Sequence, residues 1–583
     1  MVFPQKAVGL INHDFRITIL AEKKVEIEIV GCPTSIKPIT TTIKGQGKLN
    51  LIFTTTALSY SYQVIKLKVT DLETSEKKLV EIQSRVFGEK EFFICLAISS
   101  NIHYGWDPES TEQYQNLNEQ KWAIIPDERL GKDAFSHTPQ LERVFHKWNT
   151  PITWLLDDTV AMKAINSLKK WYLQYGDDYG LLPRSYFHHN FRNYNTQISL
   201  AQTIEILTLL RDTIQEIFIE NQFPYYTRIM GIDPWIGSIG TNFIKAAAEI
   251  GLEGIWGMGY DQHAINTSMY HRGAPWDVYK PQSINFRVPG PQANPWLFQS
   301  STRDILNASY FSPNGTKIFG ADANELRRHL IHRFQPDYFA QLTFNYKKNL
   351  QYNDYFVFMV HQDDHPAHIP ATNQIFEDFL DQVHPDNLFA TMEEIVAWLN
   401  LKYPAPHAYS QILELDDALA CHQQLKAAAS AGILPAELGK HSFWGDQPNP
   451  RHLAYYGLDN LWLARFPEPI PFLYYDYQHY EKYAFSETGE FPLEKLPQIL
   501  LIQQNWIQKK PKTQLELTIE SNLEFNNLPW IIWNPPITRP PGRNEVPESG
   551  QGITICFQTS QALVFILKKV LPGKNDYWFQ FEL

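Results

Sequence analysis

The chain has 583 residues, 44% of them hydrophobic and 20% charged, the balance of an ordinary soluble globular protein that is too long for one core. Its net charge of −12, from 51 Lys and Arg against 63 Asp and Glu, argues against nucleic acid as the main partner, because phosphate binding needs a basic surface. No apolar run approaches the roughly 20 residues of a membrane span, and the start "MVFPQKAVGLINHDF" lacks the pattern of a signal peptide. Cys32, Cys95, Cys421 and Cys556 lie far apart, with no zinc knuckle or disulfide framework, so a reducing, cytoplasmic setting is expected.

Residues 14–86 read as all-β. "KKVEIEIV" puts Val25, Ile27 and Ile29 on one face, and "IKLKVT" does the same with Ile65, Leu67 and Val69. Period-two alternation with Gly, Pro and Thr punctuation predicts a small β-sandwich over residues 1–88, without a cluster of catalytic residue types. From about residue 90 to 402 apolar strands alternate with helical patterns. The strands are "FFICLAIS" (92–99), "ITWLLD" (152–157), "YGLLPRS" (179–185), "TRIMGI" (227–232), "GIWGMGY" (254–260), "SINFRVP" (283–289), "YFVFMV" (355–360) and "LFAT" (388–391). Helices are expected over "PQLERVFHKW", up to Trp171, over about 196–220, over about 322–346, from about 371, and over "MEEIVAWLN". This β-then-α repetition implies a parallel sheet, and seven or eight units are enough to close a distorted barrel. Residues 403–511 read as a helical, then aromatic and Pro-rich connector. Residues 512–583 return to alternating strands, "TQLELTIE" and "ITICFQ", a C-terminal β-rich domain.

In a β/α barrel the site lies at the C-terminal ends of the strands. The proposed strands end in Ser99, Ser100 and His103; in Asp157 and Asp158; in His188 and His189; in Asp233 and Trp235; in Asp261 and His263; and in His361, Asp363, Asp364 and His365. Any one of these has a bland reading, since loops are polar and Asp caps helices, as Asp158 before "TVAMKAI" can. The repetition of Asp and His at one rim favours a site. Imidazole and carboxylate are the ligands of catalytic divalent ions and equally the proton carriers of hydrolysis, and spacing does not choose between them. Aromatics at 14% supply flat rings on which sugar faces stack. Trp235 and the stretch "RGAPWDVYKPQSINFRVPG", with Arg272, Trp276 and Tyr279, are the substrate-facing candidates beside a purely structural reading.

The order of parts over residues 90–402 resembles the glycoside hydrolase/deacetylase superfamily, which holds the polysaccharide deacetylases and glycoside hydrolase family 57. The resemblance rests on "HTPQLERVFHKWNTPITWLLDD", "WYLQYGDDYGLLPRSYFHH", "DPWIGSIGTNFIKAAAEIGLEGIWGMGYD" and "FVFMVHQDD…LFATMEEIVAWL". It implies a distorted barrel, a carbohydrate substrate and, in the deacetylase form, a catalytic divalent ion, zinc first. It assigns Asp261 to a later aspartate position and His361 to the general acid. The departures are specific. Ser99 and Ser100 stand where two aspartates belong. Leu182 and Tyr186 stand near the places of the metal histidines, with His188 and His189 offset, and Ile232 and Asp233 replace an arginine.

Three readings follow. One is a metal-assisted deacylase of a carbohydrate, with His103, Asp157, His188 and His189 as candidate ligands and His361 protonating the leaving group. Another is a metal-free glycosidase resembling family 57, with Asp233 paired with Asp363 or Asp364. The third is a barrel that binds sugar without chemistry, which the missing motifs favour and the retained Asp and His rim opposes.

Overall fold

The computed structural model describes residues 6–99, 138–183, 199–223, 225–231, 241–259, 269–270, 277–281, 293–302, 320–323, 326, 331–348, 350, 353–363, 369–384, 386–404, 413–414, 427, 455–458, 461–464, 499–509, 512–521, 525–533, 549–551, 553–558 and 562–582. The N-terminal strands are β1 (Lys6–Leu10), β2 (Asp14–Gly31), β3 (Ile36–Pro38), β4 (Thr42–Thr55), β5 (Ser59–Asp71) and β6 (Lys77–Phe87). They form one hydrogen-bonded ladder in the order β1-β6-β5-β2-β4-β3. Alternation builds it: Phe15, Ile17, Ile19, Val25 and Ile27 of β2 are buried, as are Ile65, Leu67 and Val69 of β5. Strand β1 pairs parallel to β6 and makes the sheet mixed.

The strands of the second sheet are β7 (Glu91–Ser99), β8 (Thr153–Leu156), β9 (Asp178–Leu181), β10 (Ile229–Gly231), β11 (Gly254–Gly259), β12 (Met269–Tyr270), β13 (Trp296–Gln299), β14 (Tyr355–Asp363) and β15 (Leu388–Phe389). The order is β12-β11-β10-β9-β8-β7-β14, with β13 also on β11 and β15 also on β7, and the pairings are parallel. Helices α1 (Thr138–Phe145), α2 (Asp158–Tyr175), α3 (Leu200–Glu220), α4 (Thr241–Glu249), α5 (Tyr338–Lys348), α6 (Ile369–Val383) and α7 (Met392–Lys402) accompany it. Chain beyond β13 meets the outer edge of β14. Thr302 donates its N–H to the Met359 carbonyl at 2.8 Å, and His361 donates its own to the Ala321 carbonyl at 3.0 Å. The result is a nearly closed parallel barrel.

Every residue of β7 is buried, as a strand covered on both faces requires. Its two faces enter different clusters. Phe92, Ile94, Leu96 and Ile98 pack outward under the helices. Phe93, Cys95 and Ala97 face the barrel interior with Leu155, Ile229, Trp256, Phe298, Val357 and Met359. Helix α7 brings Met392, Ile395, Val396, Trp398 and Leu399 into this interior cluster. Its contacts mark the N-terminal end of the barrel: Met392 N–H reaches Thr153 Oγ1, and Trp398 Nε1–H reaches the carbonyl of Gly88, just before β7.

Two expectations change here. The helix expected over about 322–346 is interrupted. Asp322 lies in a parallel bridge with His361 instead of in the helix; Ala323, Leu326 and Ile331–Phe334 are helical, and the chain breaks at 335–337, around Pro336, before α5 starts at Tyr338. Strand β13 comes from a four-residue stretch, "WLFQ", too short to register as a pattern. The expected strand 283–289 lies outside the described residues, as does most of the connector over 403–511. Toward the C-terminus, β16 (Leu413–Glu414), β17 (Tyr455–Leu458) and β18 (Leu461–Ala464) form a small sheet. Strands β19 (Ile499–Lys509), β20 (Lys512–Ser521), β21 (Phe525–Trp533), β22 (Ser549–Gln551), β23 (Ile553–Gln558), β24 (Ala562–Val570) and β25 (Gly573–Glu582) form antiparallel sheets in the orders β19-β20-β25-β22 and β21-β24-β23. Among the described residues no helix is long and apolar enough to cross a membrane.

Candidate functional site at the barrel mouth

The two-residue period of β7 and β14 determines what reaches the mouth. On β7 the interior face runs Phe93, Cys95, Ala97 and then Ser99, the last residue of the strand. On β14 it runs Tyr355, Val357, Met359 and then His361. In the parallel register His361 stands beside Ala97, so Ser99 is its diagonal neighbour on the same face. The apolar lining of the barrel therefore ends in a hydroxyl and an imidazole. Ser99 Oγ lies 3.0 Å from His361 Nε2. The other ring nitrogen, Nδ1, lies 3.1 Å from Asp322 Oδ2. Ser99, His361 and Asp322 are 2%, 3% and 3% exposed, so these bonds form where water competes little.

Backbone contacts fix the arrangement. The bridge between Asp322 and His361 holds the carboxylate beside the ring. Trp256 packs on the imidazole, with ring centroids 4.8 Å apart, and its Nε1–H is tied to the Ser300 carbonyl at 3.1 Å. Gly231 leaves room for that indole. A Cβ there would lie 2.7 Å from Leu155 Cδ1 and 3.2 Å from Trp256 Cε3. With Asp322 accepting from Nδ1–H, Nε2 carries the lone pair and accepts from the Ser99 hydroxyl. A ring held this way takes a proton at Nε2, and the carboxylate stabilises the cation that forms.

The other expected site residues fall as follows. Asp157 is buried and caps α2, its Oδ1 accepting the Val160 N–H at 2.8 Å, so the cap is Asp157 and Asp158 is the first helical residue. Tyr279 is fully buried in the outer cluster and bridges to Leu297, packing on β13 away from the barrel interior. Asp363 ends β14, in register with Ser99. His103, His188, His189, Asp233, Trp235, Asp261, Arg272, Trp276 and Asp364 lie outside the described residues. Nothing in the sequence marks Asp322, which sits in a stretch that reads as the start of a helix.

The opposite end of the barrel is also polar. Lys6 of β1 donates to Asp178 and to the Gly176 carbonyl, and Thr391 Oγ1 is 3.3 Å away. Arg85 of β6 meets Glu394 at 3.0 Å and the Phe389 carbonyl at 2.9 Å. Burial pushes the Asp178 carboxyl up against the pull of Lys6. For Glu394 burial acts in the same sense, but Arg85 and Lys6 outweigh it and hold the group below the usual glutamate range. This charge network fastens the N-terminal sheet to the barrel.

A resident divalent ion needs converging, deprotonated donors. Among the described residues no group of three or more His, Cys, Asp or Glu side chains converges in that way. Leu182, near the place of a metal histidine in the resembled family, belongs to the apolar interior. Both ring nitrogens of His361 are hydrogen-bonded, and Asp157 is a helix cap. Of the expected ligands His103, Asp157, His188 and His189, only Asp157 lies among the described residues.

No family model matches the chain, and no curated protein matches it. Among solved structures it is similar to the Xyl-CE4 domain of a multidomain xylanase from the hindgut metagenome of Trinervitermes trinervoides, at 7% identity and TM-score 0.24, over 52% of this chain and 89% of that one. It is similar to a Streptococcus mutans CE4 esterase at 12% identity and TM-score 0.25, over 52% and 86%. It is similar to Agd3, described as a novel carbohydrate deacetylase, at 8% identity and TM-score 0.27, over 99% of this chain and 86% of that one. A likeness this distant transfers no substrate and no functional residue.

Proposed function

We propose that the barrel is a hydrolase that removes acyl groups from a carbohydrate, with His361 as the group that moves the proton. One observation carries the reading: at the end of β14 an imidazole is held at Nδ1 by Asp322 and turned at Nε2 toward the Ser99 hydroxyl, at the C-terminal ends of the barrel strands. Any buried imidazole needs partners on its nitrogens, so what favours a proton carrier here is the position of the ring at the C-terminal ends of the barrel strands, beside a hydroxyl. The acyl bond fits a one-imidazole site, because a single base can serve both the attacking group and the leaving oxygen. The carbohydrate rests on the order of parts over residues 90–402 and on the abundance of Trp and Tyr.

The test uses the purified full chain on O-acetylated and N-acetylated oligosaccharides, reading released acetate and new reducing ends separately. Acetate release that disappears in His361→Ala supports the reading. Reducing ends without acetate favour a glycosidase built on Asp233 with Asp363 or Asp364. Undiminished acetate release by His361→Ala sinks the role of the imidazole. Elemental mass spectrometry on the same preparations reports whether a divalent ion, zinc first, accompanies the activity.

A further inference from the structure

We infer that Ser99 is the nucleophile of this site, that Asp322 is the residue positioning His361, and that the substrate class is an O-acyl ester of a carbohydrate, cleaved through an acyl-serine. The inference rests on the reading of the barrel as an acyl hydrolase and says how it acts. Its ground is the line Ser99 Oγ–His361 Nε2, 3.0 Å, and His361 Nδ1–Asp322 Oδ2, 3.1 Å, on three buried side chains. A nucleophile within hydrogen-bond reach of a base, the base oriented by a third group, is the arrangement that activates a hydroxyl. The place in the fold agrees. Ser99 closes the interior face of β7 at the C-terminal end, and Asp322 is bound to the strand that carries His361.

The step balances without a co-reactant other than water. Ser99 Oγ attacks the acyl carbon and its proton passes to His361 Nε2. The bond from the acyl carbon to the sugar oxygen breaks, and that oxygen takes the proton from Nε2 as the alcohol leaves. Water then attacks the acyl-serine, giving a proton to Nε2, and the Ser99 oxygen recovers it as the carboxylic acid departs. An alcohol leaves more readily than an amine, so esters precede amides.

The experiment treats the full chain with a fluorophosphonate and with p-nitrophenyl acetate, reading intact mass, the labelled peptide and the pre-steady-state burst. The expected result is one added phosphonate on Ser99, a burst of about one equivalent, and loss of both in Ser99→Ala, with ester turnover down by on the order of 10⁴-fold. Ser99→Cys, a near-isosteric change, guards against misfolding. Its expected behaviour is rapid alkylation by iodoacetamide that slows when His361→Ala is added. Asp322→Asn is expected to lower turnover and move the acid limb of its pH profile downward, because the imidazolium loses its carboxylate, and Asp322→Glu restores part of both. Ser99 is buried, so labelling reads access as well as reactivity, and a serine that takes no probe overturns the inference. Ester turnover kept in Ser99→Ala but lost in His361→Ala overturns it and leaves the acyl hydrolase standing. The absence of any acyl turnover in the wild type, with no label, overturns both.

Discussion

Two buried His–Asp pairs occupy opposite ends of the same barrel. At the N-terminal end His146 Nε2 lies 3.0 Å from Asp177 Oδ2, just ahead of β9. The same carboxylate accepts from Trp154 Nε1–H at 2.7 Å and from the Ile152 N–H at 3.1 Å, and His146 Nδ1 has no hydrogen-bond partner. The ring stacks on Tyr175 at 3.7 Å between centroids. Asp177 thus gathers framework N–H groups, and the histidine is one more of them. At the C-terminal end the roles invert. The carboxylate serves the ring, and the second nitrogen of the ring faces a hydroxyl. Histidine, aspartate and burial are common to both pairs. The third partner and the end of the barrel separate a structural tie from a site capable of chemistry.

Exchanging the two histidines gives the largest contrast. His361→Gln is expected to lower acyl turnover by on the order of 10⁴-fold and, because it too disturbs buried hydrogen bonds, to cost about 1–3 kcal/mol. His146→Gln is expected to leave turnover near wild type and to cost about 1–3 kcal/mol, since it disturbs a buried hydrogen bond. Turnover of both variants, with their urea midpoints, breaks the comparison if the two losses run in parallel.

Stability effects come next. Arg85 and Glu394 have side chains 6% and 1% exposed, and Arg85→Ala leaves the glutamate buried without its partner. The expected cost is about 3–5 kcal/mol, with turnover unchanged at temperatures where the chain stays folded. A double replacement, Arg85→Met with Glu394→Leu, is expected to recover much of it, because an apolar pair avoids desolvating two charges. A smaller effect joins the two ends. Gly231→Ala puts a methyl against Leu155 and toward Trp256, with an expected cost of about 1–3 kcal/mol. It also shifts the indole that backs His361, so turnover is expected to fall several-fold, whereas the network at Lys6 and Arg85 is untouched.

Much of this contrast is legible in the sequence, and the reason is periodicity. Continuous apolar runs place β7 and β14, and the C-terminal-end rule singles out His361, whereas Ser99 reads only as a departure from the aspartates of the resembled family. What stayed hidden depends on pairing between distant segments. Asp322 reads as helix because "ADANELRRHL" suits a helix, yet its backbone is claimed by β14. Strand β1 carries too few alternations to be noticed, yet it delivers Lys6 to Asp178. Asp177 and Asp178 lie at the start of β9, and Glu393 and Glu394 in the first turn of α7, where a search for strand-end carboxylates does not look. The metal reading drew on residue types at strand ends. Of its four candidate ligands only Asp157 is described, and it caps α2; His103, His188 and His189 lie outside the described residues.

A last expected effect depends on pH and separates the ends by their response to it. Glu393 is partly buried, but its carboxyl Oε1 is sealed from solvent without a hydrogen-bond partner. Burial, and then the neighbouring Asp178, push its pKa up to about 8, with Arg228 and Lys6 offsetting only part. Between the ordinary glutamate value of 4.5 and about 8 the unfolded chain has released a proton that the folded chain keeps, so stability falls as pH rises through that window and levels off above it. Glu394 contributes in the opposite sense. Held low by Arg85 and Lys6, it stabilises the fold at neutral pH and loses that contribution under acid conditions, as pH falls through its lowered pKa. Glu393→Gln removes the first slope and keeps the second. Thermal midpoints across that window should fall less in the variant than in the wild type, while the pH dependence of turnover stays the same, because the amide replaces a carboxyl at the N-terminal end and leaves His361 alone. A change in the turnover profile of this variant means that the two ends are electrostatically coupled through the barrel and that the division into tie and site is too sharp.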